Sequence, residues 1–333
     1  MKTSKLLFAL LIITGLTTAK NEVKAQADTA NITFKNTANL PYPLTWNTPV
    51  TDGTYIYAIA GYQGRGGYSN DVLKYDPQVN RWSVLTNIGG NRIQAAAAYV
   101  PVTNKIYVFG GISGQGRATN IYQSVQTIDV KTGEVANLHA QNPEATTYGC
   151  AVEYNNKIYL FGGSREKERT SNSLYEFDPQ TEKFTQLAAM PESLQAAGTV
   201  VNGVIYTVGG YDAFLKRQSS NVNAYDIKTN TWKTVCKMPQ FMSANSVAAL
   251  GDKIFITGAY DDEYLTAYYD ISTNKFVKLK SNMEPRRATA SAVFNNYLFV
   301  FGGTSRFKAA NASTLQSAQV ANLSGFLRTS ASK

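Results

Sequence analysis

Apolar and polar positions alternate in short bursts along this chain, and one burst recurs. The run Lys105-Ile106-Tyr107-Val108-Phe109-Gly110-Gly111 is β-branched and aromatic and ends in two glycines. Near-copies end at Ala60-Gly61, Gly162-Gly163, Gly209-Gly210, Gly258-Ala259 and Gly302-Gly303. The doublets are spaced by 50, 52, 47, 49 and 44 residues, a period that signifies repeated structural units. A turn pair precedes each run: Asp52-Gly53, Thr103-Asn104, Asn155-Asn156, Asn202-Gly203, Gly251-Asp252 or Asn295-Asn296. Such pairs accept positive φ and close tight hairpins onto a preceding strand of small residues, as over 95–99 and 196–201. The doublet should end the second strand, where a side chain would obstruct close backbone approach.

A second pattern follows in five units: an apolar residue, an aspartate, then an apolar partner seven places after the first. The pairs are Tyr75/Trp82, Ile128/Val135, Phe177/Phe184, Tyr225/Trp232 and Tyr269/Phe276, with Asp76, Asp129, Asp178, Asp226 and Asp270 beside them. Turn residues between the partners predict a second hairpin, so each unit has four strands. The aspartates, at strand ends before turns, read as turn caps. Residues 32–38 match the outermost strand of other units: Phe34 stands where Phe184 and Trp232 stand, and Pro41 where Pro191 and Pro239 stand. The sixth unit lacks that strand, so 32–38 should complete it and close the ring, removing an open sheet edge.

Four-stranded units at this period resemble the Kelch repeat, a resemblance that covers roughly 31–323. It implies an all-β, six-bladed β-propeller whose last blade is closed by an N-terminal strand. The six units use nearly all of the 333 residues. One propeller domain is therefore expected over 26–333.

Composition adds to the picture at the chain's start. Lys2 and Lys5 precede an apolar stretch over 6–16, and Ala19 and Ala25 offer cleavage sites. This reads as a secretory signal peptide over 1–25. The apolar stretch is too short to span a bilayer, which needs about 20 residues. No cysteine stands beside either cleavage site, so a secreted or periplasmic protein without a lipid anchor or membrane span is expected. Residues 1–25 carry a net +3 of the total +9, which leaves a moderately basic mature chain. That balance favours anionic ligands. Without a dense Lys/Arg run or an RNA-binding motif, nucleic acid is not an expected partner. Cys150 and Cys236 fall on inner and outer strands of different units. Strands lie about 4.8 Å apart and a disulfide needs Cα atoms within about 7 Å, so both should be free.

Loops between the doublets and third strands gather on one face of a propeller, where function usually sits. Here they hold Arg65, Arg117, Arg165, Arg169, Arg217 and Arg306, and only the fifth is acidic, with Asp261, Asp262 and Glu263. Segments leading into the inner strands add Arg92, Tyr148, Gln195 and Arg287 near the channel mouth. Arginine suits bidentate capture of carboxylate or phosphate. Arg169, Arg92 and Arg287, with Tyr148 and Gln195, are thus the candidate ligand-binding residues for an anionic small molecule or an acidic protein segment. His139 is the only histidine, in a connection between units. One histidine and two separated cysteines cannot make a structural zinc site or a His-rich metal site, and they count against a copper radical centre. A Ser-His-Asp triad would have to use His139, and no Gly-x-Ser-x-Gly elbow occurs. No metal or cofactor is expected.

The stretch over 162–170, Gly-Gly-Ser-Arg-Glu-Lys-Glu-Arg-Thr, followed by Leu174-Tyr175-Glu176-Phe177-Asp178, resembles the Glu/Arg loop of exported bacterial Kelch mutarotases, which speed anomer exchange of free sialic acid. Arg169 matches that family's arginine. Its glutamate stands six residues earlier, where this chain has Gly163, so Glu166 or Glu168 would supply the catalytic carboxylate. Three functional readings follow from the sequence. The leading one is an exported binding module for an anionic sugar or acidic segment; the others are a sugar mutarotase and a structural protein-interaction scaffold.

Overall fold

The computed structural model describes residues 30–90, 92–113, 120–166, 169–307 and 313–327. The leader expected over 1–25 and Glu168 lie outside them. Six antiparallel sheets, each with four principal strands, follow one another along the chain. Their innermost strands are Thr48–Thr51, Ile93–Val100, Cys150–Tyr154, Gln195–Val201, Ser246–Leu250 and Ala290–Phe294. Each touches the innermost strand of the next blade, and the sixth touches the first, so the six form a closed ring around an axial channel. Small residues dominate these strands because six of them converge on one axis. Among the described residues, no helix is long and apolar enough to cross a membrane.

Blade six is completed by Phe34–Thr37, which pairs antiparallel with Ala318–Asn322. The expected strand over 32–38 is split. Asn31–Ile32 pairs in parallel with Lys280–Ser281 of blade five before the chain crosses to blade six. The N-terminal segment thus ties two blades together.

The repeated signals have direct physical causes. All five apolar pairs are cross-strand partners. Tyr75 and Trp82 stack with ring centroids 5.1 Å apart, and Phe177 and Phe184 at 4.7 Å. Their outer faces meet the neighbouring blade, as where Trp82 lies edge-on to Phe301 at 5.2 Å. Each of the five aspartates accepts a backbone N–H from its turn. At Asp129 the Thr132 and Lys131 amides hold the carboxyl below its usual range. A Cβ on Gly110 would stand 2.1 Å from the Thr146 carbonyl oxygen of the next blade, and one on Gly302 2.3 Å from that of Leu44. Those same oxygens accept the N–H of Gly111 at 2.9 Å and of Gly303 at 2.8 Å. The doublet is the point where one blade is bonded to the next.

Two sequence expectations change in detail, and the free cysteines do not. Past the doublet the second strand runs on in blades one, two and four, as Ile56–Tyr62, Lys105–Ser113 and Val204–Asp212. A register shift at the doublet absorbs the irregularity in blades one and four. His139 lies exposed on the outer strand Val135–Gln141 rather than in a connection. Cys150 and Cys236 are both free. The Cys150 thiol donates to the Gly198 carbonyl at 3.5 Å, and burial pushes its pKa up to about 12.

Candidate functional site

The mouth of the channel is framed by backbone. Just before or at the start of the innermost strands, Trp46, Gln94, Tyr148, Ala244 and Ala288 occupy the left-handed region with φ between 48° and 57°. Non-glycine residues rarely hold that conformation without compensation. Here the compensation is a chain of blade-to-blade hydrogen bonds. The Ala288 N–H donates to the Ala244 carbonyl at 2.8 Å and Trp46 to Ala288 at 3.4 Å; Gln94 donates to Trp46 at 3.4 Å and Tyr148 to Gln94 at 3.0 Å.

Inside this frame lies a recess of about 660 Å³. Its mouth carries Trp46, Tyr148, Tyr211 and Tyr260, and its walls are small residues with the amides of Gln94, Gln195 and Asn245. Half of Tyr260 is exposed. The Arg287 guanidinium lies 4.4 Å from its ring centroid and holds it as a platform. Desolvation in the channel pushes the Tyr148 phenol up to about 12, so it stays a neutral hydrogen-bonding group. Among the described residues, Asp261 is the one charged residue of the lining, and its carboxylate accepts the Gln218 amide.

The structure therefore separates the candidates that the sequence grouped. Tyr148 and Gln195 line the recess, Gln195 held by a 2.8 Å bond to the Ser164 hydroxyl. None of the three arginines does. Arg287 stands 3.6 Å from the buried Glu263 carboxylate, which also pairs with Arg306 at 3.5 Å. Arg169 is exposed on a two-strand hairpin, Ser164–Glu166 with Arg169–Thr170, where it is the register partner of Glu166.

Arg92 departs furthest from the expectation. It is fully buried, with its guanidinium 4.1 Å from the Tyr122 ring centroid. Its Nη2 donates to the Ser124 carbonyl and hydroxyl at 3.4 Å, while Nε and Nη1 have no hydrogen-bond partner among the described residues. The reason is positional. Arg92 occupies the place of Leu44, Leu194 and Met242 in other blades, all of them core residues. It cannot meet a ligand over the channel.

Sequence reasoning missed Trp46, Gln218, Tyr260 and the alanines of the frame. A signal existed for some of them. Tyr62, Tyr211 and Tyr260 each follow a doublet directly, and the last two line the recess. Nothing in composition marks Ala244 or Ala288, since they contribute backbone.

A model of the KLHDC2/KLHL20/DRC7 Kelch-repeats domain matches residues 46–259, more than half of the chain. Kelch-like protein 23 of Homo sapiens is 30% identical over 201 residues, covering 60% of this chain and 34% of its own length. Kelch-like protein 38 of Rattus norvegicus is 28% identical over 267 residues, covering 78% and 44%. The chain thus spans less than half the length of these curated relatives. Among solved structures, that of YjhT matches with a TM-score of 0.73 and 18% identity, over 85% of this chain and 95% of that one. At that identity the likeness shows the fold alone.

Proposed function

Because the chain belongs to the KLHDC2/KLHL20/DRC7 Kelch-repeats domain family, we propose that it is a binding module whose ligand sits in the axial recess. The recess carries this reading. Its volume of about 660 Å³ falls within the usual range of ligand sites, about 300–1,000 Å³, and aromatic faces stand beside a few fixed polar groups. With Asp261 the sole charge among the described residues of the lining, the fitting ligand is polar and uncharged, or carries an amine. Among the described residues no arginine lines the recess, so an anionic sugar or acidic segment meets no guanidinium within it.

Calorimetric titration with neutral, amino and acidic sugars and short peptides tests this. Truncating a central aromatic contact costs about 2 kcal/mol or more. Tyr260→Ala should therefore weaken binding roughly 30-fold, with little change in melting temperature. Binding that ignores this substitution, or no binding at millimolar concentration, would remove the recess as the site.

A second reading, a sugar mutarotase, rests on the hairpin that pairs Glu166 with Arg169 in register. One general acid/base and one arginine clamp would suffice for anomer exchange. Anomer relaxation of sialic acid followed by NMR should then be accelerated, and slowed again by Glu166→Gln or Glu168→Gln. Exchange no faster than in buffer excludes it.

A further inference from the structure

The backbone frame around the mouth is interrupted at blade four, and we propose that the ligand completes it with a secondary amide. Elsewhere each left-handed residue offers its carbonyl to the N–H of its counterpart in the following blade. The counterpart in blade four is Ala196, which lies in the strand Gln195–Val201 and is not left-handed. Among the described residues, neither the Tyr148 carbonyl on one side of this gap nor the Ala244 N–H on the other makes a backbone–backbone hydrogen bond. Both residues line the recess.

What is missing is one backbone unit: an N–H directed to Tyr148 and a carbonyl directed to Ala244. A secondary amide carries one donor and one acceptor pointing to opposite sides, the two functions the gap lacks. The surroundings agree. Gln218, at the same side, has an unpaired buried Oε1 while its Nε2 is held by Asp261. Among the described residues no cation lines the recess, so an amide meets no competing demand for an anion there. An N-acylated sugar and a peptide segment both carry this group. The inference rests on the recess being the ligand site.

The test is titration of ¹⁵N-labelled protein with N-acetylglucosamine, with N-acetylalanine N-methylamide, and with glucose as a probe lacking the amide. The Ala244 amide should move downfield and exchange its hydrogen about tenfold more slowly with one of the two amides. The Ala288 amide, already bonded to Ala244, serves as the unmoved reference. Which amide acts distinguishes sugar from peptide. N-methylating the active amide removes its donor and should weaken binding about tenfold, the loss of one hydrogen bond. Binding of any probe that depends on Tyr260 yet leaves the Ala244 amide in place overturns the amide subsite and leaves the recess standing. If no probe binds, the recess reading fails with it.

Discussion

A chain beginning at Leu40 melts roughly 10 °C below the full propeller, or aggregates before it melts. The segment before Leu40 contributes more than a strand. Phe34 and Ile32 are only 3% and 4% exposed, sealed between blades five and six. Burying two such side chains stabilises by about 1.5–3 kcal/mol each, against a typical total of about 5–15 kcal/mol. The Asn282 amide clamps Phe34 from blade five, accepting its N–H at 2.7 Å and donating to its carbonyl at 3.0 Å. On the other side the Trp82 indole of blade one donates to the Ala38 carbonyl at 3.0 Å. Removing the segment unfastens three blades and bares the edge of Ala318–Asn322, a template for pairing with another chain. For a domain of this size each kcal/mol is worth about 2–4 °C. A calorimetric midpoint equal to that of the full chain would contradict this account of ring closure.

The closure was legible because strand chemistry repeats. Phe34 stands at the spacing from Pro41 that Phe184 has from Pro191, and the pairing confirms it. The same holds for the turn-capping aspartates and the stacked pairs, whose contacts lie a few residues away in sequence. The glycine doublets were legible as strand ends but not as interblade bonds, since the Thr146 carbonyl that excludes a Cβ from Gly110 belongs to another blade. The site was much less legible. Its frame is backbone in a left-handed conformation, which alanine adopts at Ala244 and Ala288 with no signature in residue type. Charge misled most of all. Counting loop arginines says where basic residues fall in sequence, not which side of a blade they face. Arg287 is taken up by Glu263 and Tyr260, and Arg92 is interior. Counting back from the doublets would not have found this, because Arg92 lies 18 residues before Gly110 whereas Leu44 and Met242 lie 16 before theirs. The longer turn over 101–104 shifts the register that the structure restores.

That register makes a pair of arginines whose substitution should act in opposite directions. Arg92 and Arg286 hold equivalent places in blades two and six, both fully buried, and each is followed by a Ser-x-Gln set, Ser124/Gln126 and Ser317/Gln319. Burial pushes both guanidinium groups down to about 10, so both incur a large desolvation cost. The compensation differs. Arg286 donates to the Glu284 carboxylate at 3.1 Å, the Gly302 carbonyl at 3.1 Å, the Ser317 carbonyl at 3.3 Å and the Gln319 amide oxygen at 3.3 Å. In blade two Gly90 stands where Glu284 stands in blade six. A Cβ there would meet the Tyr122 hydroxyl at 2.5 Å, so tyrosine covers the arginine where a carboxylate would have paired with it. Among the described residues Arg92 is left with two 3.4 Å bonds and a ring, and the Gln126 Oε1 of the same blade is buried without a partner. Breaking a satisfied buried ion pair costs about 3–5 kcal/mol, whereas replacing a poorly compensated buried charge by an apolar side chain can stabilise by about 1–4 kcal/mol. Arg286→Leu should therefore lower the melting temperature by roughly 10 °C, and Arg92→Leu should raise it by about 4 °C. The leucine at 92 copies what blades one and four already carry. Equal losses in both variants would mean that the ring over Arg92 compensates its charge as fully as Glu284 compensates that of Arg286.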